Sequence, residues 1–341
     1  MDKIGVGIVG LGMALKPHAL ALRDLAEQVD FAGGYSPSAE RRQAFVREYG
    51  LAAVERLDDL LGNPRVGALL ILTPPRTHAD LALQAASAGK HVLLEKPIDV
   101  DWSSANRIVE QLAAAKRRLG VVLQFRFRPG VPELRQLIGD GALGELLSVS
   151  ASIRWWRPAS YFAQAGRGSL ARDGGGVLLT QAIHTLDLML HLAGPVQEVS
   201  ALCRSSGLRA IDTEDLACAA VRFASGAIGA IDATTVAYPG FAERIELAGT
   251  RGSAVIEGDH VRVFRSGQDH LVFAGAGAGG GGADPMAFSH QPHKRLIEDF
   301  LAAVREQREP YCNGASVLPV HALIDGMLES ARRGAAVRLA T

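Results

Sequence analysis

Lys96 and His184 are the side chains whose surroundings in this sequence suggest proton transfer. Lys96 closely follows the strand-like segment His91–Leu94, and the carboxyl ends of parallel strands border the crevice in which such sheets bind ligands. A lysine at that place could exchange a proton with a hydroxyl group of a bound substrate. A solvated lysine at the end of a strand is the alternative reading of this position.

His184 lies in a segment, residues 181–193, whose apolar spacing predicts a helix. On such a helix the polar side chains form one stripe, made of Thr180, Gln181, His184, Asp187 and His191. Asp187, one turn after His184, could orient the imidazole for proton transfer. Neighbouring loops could instead satisfy this stripe. No H-E-x-x-H pattern or cysteine cluster accompanies the histidines, so we predict no metal site.

The stretch VGIVGLGMALKPH, from Val6 to His18, places a glycine pair between a predicted strand and a predicted helix. Gly10 and Gly12 would let the backbone approach a pyrophosphate, which the free N–H groups at the start of the helix stabilise. Leu15 stands where a third glycine is usual, and that glycine mainly serves close packing of the helix on the strand. A tight strand–helix turn without a ligand is the alternative.

The elements around these residues predict a doubly wound α/β domain over residues 1–125. Strand-like segments cover residues 4–9, 31–35, 66–72, 91–94 and 121–125, and helical segments cover 14–28, 39–49, 78–88 and 103–119. Continuous apolar strands between helices indicate a parallel sheet that is covered on both faces.

Residues 126–341 show a different pattern and predict a second, substrate-binding domain. Seven strand-like segments follow one another between residues 146 and 264 with few helices between them, and FASGAIG fits a hairpin turn. We therefore predict an α+β domain on an open, largely antiparallel sheet, followed by two helices. The low-complexity segment 274–283, AGAGAGGGGA, is expected to be a flexible surface loop.

Composition limits the classes of partner and compartment. A chain of 341 residues with 48% hydrophobic and 21% charged residues predicts two globular domains. The 36 basic and 36 acidic side chains cancel, so we predict no nucleic-acid partner and no membrane partner. Three cysteines without disulfide or metal-ligand spacing, and an N-terminus without signal-peptide features, predict a cytoplasmic protein.

The end of the second predicted strand bears on the choice of nucleotide. A Rossmann domain usually carries there an acid that binds the adenosine ribose, but this sequence has Ser36, followed by Arg41 and Arg42. A serine with nearby arginines could accommodate a 2′-phosphate, and a serine alone also accepts a 2′-hydroxyl. The sequence therefore leaves NAD and NADP open.

Three longer stretches carry a family resemblance. They are ILTPPRTHADLALQAASAGKHVLLEKP (71–97), GDGALGELLSV (139–149) and GGGVLLTQAIHTLDLMLHLAG (174–194). With the opening turn they resemble the Gfo/Idh/MocA family of oxidoreductases. The resemblance implies an N-terminal Rossmann domain, a C-terminal domain whose open sheet forms a homodimer or homotetramer, and nicotinamide-dependent oxidation or reduction of sugars and cyclic polyols.

The resemblance also assigns residues to the cofactor. Thr73, Pro74 and His78 match the family's T-P-x-x-x-H loop, and Glu95, Lys96 and Pro97 match its E-K-P, with the peptide before the proline often cis in relatives. Gln124 and Arg126 are expected between nicotinamide and substrate. The predicted cofactor-binding residues are Gly10, Gly12, Met13, Ser36, Arg41, Thr73, Pro74, His78, Glu95, Lys96 and Gln124.

Thr180 departs from a common family pattern. Many relatives carry an aspartate four residues before the histidine, and threonine cannot act as a base near neutral pH. Any proton relay would then use Lys96 and His184 alone, or Asp187. The sequence TQAIH is closer to a branch with N-Q-x-x-H, which includes nucleotide-sugar uronate 3-dehydrogenases.

Upstream of the predicted helix lies a basic, aromatic segment, residues 154–176. Trp155 and Trp156 offer faces for a sugar ring, while Arg157, Arg167 and Arg172 offer forked donors for a carboxylate, a phosphate or hydroxyl groups. An oligomer contact is the alternative. The predicted substrate-binding residues are Arg126, Trp156, Arg157, Arg167, Thr180, Gln181 and His184.

The resulting hypothesis is an NAD(P)-dependent dehydrogenase. It would oxidise a secondary hydroxyl of a sugar, a sugar derivative such as a uronate or nucleotide sugar, or a cyclic polyol, with Lys96, His184 and Asp187 as catalytic residues. Two alternatives stay open: an NAD-dependent glycosidase of the same family, and a non-catalytic nucleotide or sugar sensor, which the threonine at position 180 would suit.

Overall fold

The computed structural model describes residues 3–164, 166–265, 267, 271–274 and 289–339. The chain divides into two compact units, Met1–Gln124 with Ser289–Leu318 and Phe125–Phe288 with Pro319–Thr341. The predicted change of domain after residue 125 lies one residue from the observed change of unit. Residues 289–318, which the prediction placed in the second domain, group with the first. The predicted loop 274–283 lies, beyond residue 274, outside the described residues.

A parallel sheet forms the centre of the first unit, as predicted. Its strands are β1 (Ile4–Val9), β2 (Val29–Tyr35), β3 (Ala53–Val54), β4 (Val66–Ile71), β5 (His91–Leu94) and β6 (Leu119–Val121). Among the described residues their order is β3-β2-β1-β4-β5-β6, and each neighbouring pair is parallel. Because the order reverses direction at β1, the carboxyl ends of β1 and β4 border the crevice typical of ligand binding.

Five helices connect these strands. They are α1 (Leu15–Asp24), α2 (Ala39–Tyr49), α3 (Asp58–Leu61), α4 (His78–Ser87) and α5 (Trp102–Ala114). Local side chains determine where some of them begin and end. The Ser38 hydroxyl accepts a hydrogen bond from the Arg41 N–H at the start of α2, and Gly50 ends that helix with φ of 66°.

Residues 103–125 differ from the prediction at two places. The predicted helix 103–119 ends at Ala114, because Lys116 adopts a left-handed backbone with φ of 56°. The strand that follows is therefore earlier than predicted, at Leu119–Val121, and Gln124–Phe127 forms a turn of 3₁₀ helix. Gln124 thus lies in a turn after the strand rather than within it.

The second unit carries a mixed, mostly antiparallel sheet, which confirms the predicted class. Its helices are α6 (Val131–Gly139), α7 (Ala159–Phe162), α8 (Leu170–Asp173) and α9 (Ile183–Ala193). Its strands are β7 (Leu146–Arg154), β8 (Val196–Arg204), β9 (Leu216–Phe223), β10 (Ile228–Thr234), β11 (Arg244–Gly249), β12 (Gly252–Glu257), β13 (His260–Arg265), β14 (Leu271–Ala274) and β15 (Val337–Arg338). In the described residues the order is β14-β13-β12-β11-β7-β10-β9-β8-β15, and β7 with β10 is a parallel pair.

The two faces of this sheet differ in exposure. Along β9 buried and exposed residues alternate, as expected for a sheet with one face in the core. Helix α9 packs against β7 and β11 on the buried face. The other face carries exposed apolar side chains, among them Leu202 at 76% exposure and Ile228 at 57%.

Helices α10 (Gln291–Glu306) and α11 (Gly314–Arg333) precede the last described strand, β15. Helix α10 packs on α1 and on β5 of the first unit, and it buries Leu296, Ile297 and Phe300. This packing explains why residues 289–318 belong to the first unit although they follow the second along the chain.

Within the described residues one helical stretch, Leu170–Ala193, is long and apolar enough to cross a membrane by length and composition. It includes α8, the turns after it and α9, and 78% of its most apolar window is buried inside the protein. Core helices of soluble proteins pass the same test, so this stretch is weak support for a membrane span.

His91 and His191 should make the protein less stable as the pH drops below about 6.5, the pKa of an unfolded histidine. Burial, with adjacent arginines, lowers the pKa of His91 to about 4 and that of His191 to about 3. Below about pH 6.5 the unfolded chain therefore binds protons that the folded chain does not bind. The contribution of these histidines to the free energy of unfolding is complete above about pH 6.5. Below that pH it falls by at most about 1.4 kcal/mol per pH unit for each histidine. The fall is smaller than this limit because both side chains are partly exposed. Thermal unfolding across this range should show a smaller fall for His191→Asn, and an unchanged fall would contradict the assignment.

Candidate active site

The glycine turn after β1 is shaped for close approach of a ligand. Gly10 has φ of 103°, and a Cβ there would lie 2.8 Å from the main-chain carbon of Leu72. A Cβ on Gly12 would meet no atom within 4 Å, so the backbone at Gly12 borders open space. Helix α1 starts at Leu15 without a side-chain cap. The Leu15 N–H donates to the Gly12 carbonyl at 3.2 Å, and the positive end of the helix dipole at this turn favours an anion such as a pyrophosphate.

Ser36 follows β2 and is buried, with only 3% exposure. Its hydroxyl accepts a hydrogen bond from the Ser38 N–H at 3.3 Å. The Arg42 guanidinium donates to the Ser36 carbonyl at 2.6 Å, whereas the Arg41 side chain is exposed. Arg42 thus supports the loop, and Arg41 is the arginine here that could reach a 2′-phosphate.

His78 joins two loops and is itself completely buried. Its Nε2 lies 2.8 Å from the Thr73 carbonyl oxygen, and its Nδ1 lies 2.9 Å from that of Pro97. Burial lowers the pKa of His78, while these carbonyls favour its charged form. Thr73 also accepts a hydrogen bond from the Thr77 hydroxyl at 2.7 Å. His78 therefore connects the T-P-x-x-x-H loop to the E-K-P loop through hydrogen bonds to both.

Lys96 directly follows Glu95 at the carboxyl end of β5, and the peptide to Pro97 is cis. Glu95 accepts two hydrogen bonds, one at Oε2 from the Lys96 N–H at 3.0 Å and one at Oε1 from His18 at 2.8 Å. The Lys96 side chain is partly exposed, whereas Glu95 is 9% exposed. Glu95 thus holds the backbone of Lys96 from inside the fold.

Gln124 is 7% exposed. Its Oε1 is buried and accepts no hydrogen bond from the part of the chain that the structure describes. A buried acceptor without a donor is costly unless a ligand satisfies it. The open glycine turn and this acceptor both fit a nicotinamide dinucleotide, with Gly10, Gly12 and Gln124 among the residues that would hold it.

In the second unit a glycine-rich turn leads into the helix of His184. Gly176 approaches Glu214 so closely that a Cβ would lie 1.9 Å from the Glu214 carbonyl oxygen. The Glu214 carboxylate accepts from the Gly176 and Leu178 N–H groups, each at 3.1 Å. Burial raises the pKa of Glu214, and these hydrogen bonds oppose the rise. The Thr180 hydroxyl donates to the Gly176 carbonyl at 2.6 Å.

The predicted helix 181–193 begins differently in the structure. Residues Leu178–Ala182 form a π-helical turn, and α9 runs from Ile183 to Ala193. Such a turn shifts the register of side chains that precede it. Thr180 and Gln181 therefore do not continue the straight α-helical stripe with His184 that the sequence spacing predicted.

Asp187 binds Arg126, and not His184 as the spacing suggested. The Arg126 Nε and Nη2 donate to the two carboxylate oxygens of Asp187 at 2.8 and 2.5 Å. Asp187 is 1% exposed and Arg126 is 2% exposed. Burial raises the pKa of Asp187, and Arg126 acts in the opposite direction. This forked ion pair attaches the turn of Arg126 to α9.

His184 is held by stacking. Its ring lies on the Phe125 ring with centroids 5.0 Å apart and planes 27° apart. The Arg128 guanidinium lies 3.1 Å from the centroid of the same Phe125 ring, and Glu243 binds Arg128 at 2.5 Å. His184 and Phe125 are both below 10% exposure. The Phe125 ring therefore limits the orientation of the imidazole.

The basic, aromatic segment folds largely on itself. Arg157 is 3% exposed and donates to the Trp156 carbonyl at 3.0 Å. The Arg209 guanidinium lies over the Trp156 ring, 5.0 Å from the ring centroid. Arg167 donates to the Tyr161 hydroxyl at 2.9 Å, and Gln181 donates to the same oxygen at 3.3 Å. Of the predicted substrate residues, the structure thus brings Arg167 and Gln181 together, through Tyr161.

Several residues that shape the site were missed in the sequence. Tyr161 lies within the aromatic segment, and its residue type could have drawn attention. The other missed residues, His18, Phe125, Arg128 and Glu214, carry no local signal, because each acts through a partner that is distant along the chain or buried.

Two family models match this chain. One, for an oxidoreductase family with an NAD-binding Rossmann fold, covers residues 4–123, and one for the GFO/IDH/MocA C-terminal domain covers residues 131–255. The chain belongs to the Gfo/Idh/MocA family. The resemblance, the fold class, the enzyme class and the nicotinamide cofactor predicted from the sequence are thereby confirmed.

Similar Gfo/Idh/MocA proteins match along most of their length. Inositol 2-dehydrogenase of Rhizobium meliloti (strain 1021) is 27% identical over 338 residues, which cover 95% of this chain and 96% of that protein. Myo-inositol 2-dehydrogenase of Thermotoga maritima is 29% identical over 269 residues, 75% of each chain. The WlbA dehydrogenase of Bordetella pertussis, solved with NADH and UDP-GlcNAcA, superposes with a TM-score of 0.84 at 29% identity over 100% of both chains.

Gly176→Ala should destabilise this Gfo/Idh/MocA chain. The new methyl group would overlap the Glu214 carbonyl oxygen, and overpacking of this kind typically costs about 1–3 kcal/mol. Gly139→Ala is the matched control, since a Cβ there meets no atom within 4 Å. Urea unfolding of both variants measures the difference. Equal stabilities would contradict the close approach of Gly176 to Glu214.

Proposed function

We propose that this chain is an NAD(P)-dependent dehydrogenase that oxidises a secondary hydroxyl of a sugar, a sugar derivative or a cyclic polyol. The observation that carries the proposal is Lys96, held by Glu95 at the carboxyl end of β5 within a family NAD-binding domain. Inositol dehydrogenases match most of the chain and supply the class of substrate.

In this proposal a nicotinamide dinucleotide, held by residues that include Gly10, Gly12 and Gln124, would supply the acceptor for the hydride of the carbinol carbon. The neutral amine of Lys96 takes the proton of the substrate hydroxyl, so that the alcohol loses one hydride and one proton and becomes a ketone. His184 positions the hydroxyl or shares its proton, and its stacking on Phe125 supplies a defined ring orientation. Pre-positioning of the reacting groups accounts for much of the rate.

Asp187 has a supporting role in the proposal. Because both of its oxygens bind Arg126, it stabilises the turn that carries Arg126 and does not act as a base. Thr180 donates to a main-chain carbonyl and likewise carries no proton relay. The proton transfer therefore rests on Lys96 and His184.

We further propose an anionic sugar derivative as substrate. Arg167 of the basic segment and Gln181 of the π-helical turn both donate to the Tyr161 hydroxyl, and the forked guanidinium of Arg167 suits a carboxylate or phosphate. The similarity to a WlbA dehydrogenase that was solved with UDP-GlcNAcA supports a nucleotide-sugar uronate within this class.

The compartment and the assembly follow as further proposals. The sequence features favour a cytoplasmic enzyme. The exposed sheet face carries apolar side chains on β8 and β10, which flank β9: Leu202 lies opposite Cys218 of β9, and Ile228 lies opposite Arg222. We propose that this face joins copies of the chain in a homodimer or homotetramer.

Nucleotide binding followed by a substrate panel tests the function. Fluorescence titration with NADH and NADPH should show binding of at least one of them. If the site holds a 2′-phosphate, Arg41→Ala should weaken the binding of NADPH and leave the binding of NADH unchanged. Inositols, levoglucosan and a UDP-sugar uronate are then assayed for NAD(P)H formation by absorbance. Binding of neither nucleotide would overturn the proposal, and turnover of neutral polyols alone would overturn the anionic substrate.

A further inference from the structure

We infer that His18 and His293 are positioning residues for Lys96, acting through Glu95. The inference rests on the proposed role of Lys96 in proton transfer. Neither histidine is among the residues that were assigned to the cofactor or the substrate. Both are buried in the first unit, on helices α1 and α10, with 0% and 3% exposure.

Glu95 connects the histidines to Lys96. One carboxylate oxygen accepts from the Lys96 main-chain N–H, and the other contacts Nε2 of His18 at 2.8 Å. A carboxylate whose two oxygens are both engaged has little rotational freedom. The backbone of Lys96 is therefore anchored to a group that His18 holds in place.

His18 can hold Glu95 in this way in the tautomer that carries its proton on Nε2. Its Nδ1 is buried and has no hydrogen-bond partner within the described residues. A ring with its proton on Nε2 donates to Glu95 and leaves only a bare acceptor at Nδ1, which costs less than a buried N–H without a partner. Leucine at this position would leave Glu95 Oε1 without its donor.

His293 restrains the other side of His18. The two rings meet edge to face, with centroids 5.2 Å apart and an interplanar angle of 85°. Burial, then the adjacent His18, lowers the pKa of His293 well below its usual range. A neutral His293 ring packs against His18 without placing a positive charge beside it. The packing of α10 on α1 thus contributes to the position of Lys96.

The three side chains also satisfy the spacing of a metal site, with ligand atoms within 4.8 Å of one another. The direct contact between His18 and Glu95 at 2.8 Å has the length of a hydrogen bond. A hydrogen-bonded group is therefore the assignment that we favour, and bound metal is an outcome of the test.

The test compares His18→Leu with His18→Gln, whose amide can still donate to Glu95. Turnover is expressed per NADH-binding site, which removes any loss of folded protein. His18→Leu should lower kcat by about 100-fold, the size of effect expected for a misplaced reacting group, with substrate KM and NADH affinity unchanged. His18→Gln should restore most of the loss. Hydrogen exchange at the Lys96 amide should become faster in His18→Leu and stay slow in His18→Gln.

His321→Leu is the matched control, because it removes another buried histidine, one that is 1% exposed on α11. It should lower stability without lowering kcat per binding site. An equal loss of kcat in this control, an unchanged Lys96 amide in His18→Leu, or stoichiometric metal whose removal abolishes activity would each overturn the inference. If Lys96→Met keeps full turnover, the proposed function fails as well; if only His18→Leu keeps it, the inference fails alone.

Discussion

Lys96→Met should lower kcat by about 10²- to 10⁴-fold, the usual contribution of a general acid or base. Methionine keeps much of the length of the side chain but removes the group that takes the proton. The substitution leaves the main-chain N–H that donates to Glu95 unaltered, so the E-K-P loop should keep its shape. NADH affinity should therefore change little.

Lys116→Met is the control for the loss of a positive charge, because Lys116 is exposed after α5. Its steady-state kinetics should match those of the unaltered protein. Initial rates of NAD(P)H formation, with NADH titration in parallel, separate loss of chemistry from loss of binding. A Lys96→Met protein with undiminished kcat would remove Lys96 from the mechanism.

Arg126→Leu should reduce the free energy of unfolding by about 3–5 kcal/mol, since it leaves the carboxylate of Asp187 buried without its cation. Both oxygens of Asp187 are engaged by Arg126 in the structure, and the pair is almost completely buried. The destabilisation should also displace α9, so that activity falls at temperatures well below the unfolding transition.

Arg126→Leu with Asp187→Leu is the decisive companion, because it removes both charges together. A buried ion pair often contributes little compared with apolar residues of similar size. The double variant should therefore recover most of the stability that Arg126→Leu alone loses. Urea unfolding of the two single variants and the double variant measures the coupling between the residues. Additive losses would show that the two side chains do not interact in this way.

The local patterns in the sequence predicted much of the first unit, but the predicted helix 14–28 ends at Asp24, and β3 and α3 were not predicted. Strand β1 and helix α2 have the predicted bounds, because each is marked by its own residues: an apolar run for the strand, and a serine cap and a terminal glycine for the helix. The end of α5 was missed, because Lys116 adopts a left-handed backbone that no local residue type announces.

The helix that carries His184 shows where spacing alone fails. Counting residues at helical intervals placed Asp187 next to His184. In the structure Asp187 instead binds Arg126, which is 61 residues away along the chain. The π-helical turn at Leu178–Ala182 changes the register as well. Both features depend on groups that pack against the helix, and the helix's own sequence does not report them.

The sequence by itself determined the fold class, the family and the candidate chemistry of Lys96 and His184. These depend on residue types at short spacing, such as glycines in a turn or a lysine after a buried strand. Only the tertiary structure decided which side chains hold those residues: Glu95 with His18 and His293 around Lys96, and Phe125 with Arg128 around His184. Hydrogen bonds and ring contacts form between segments far apart in the chain, so their partners exist only after the chain has folded.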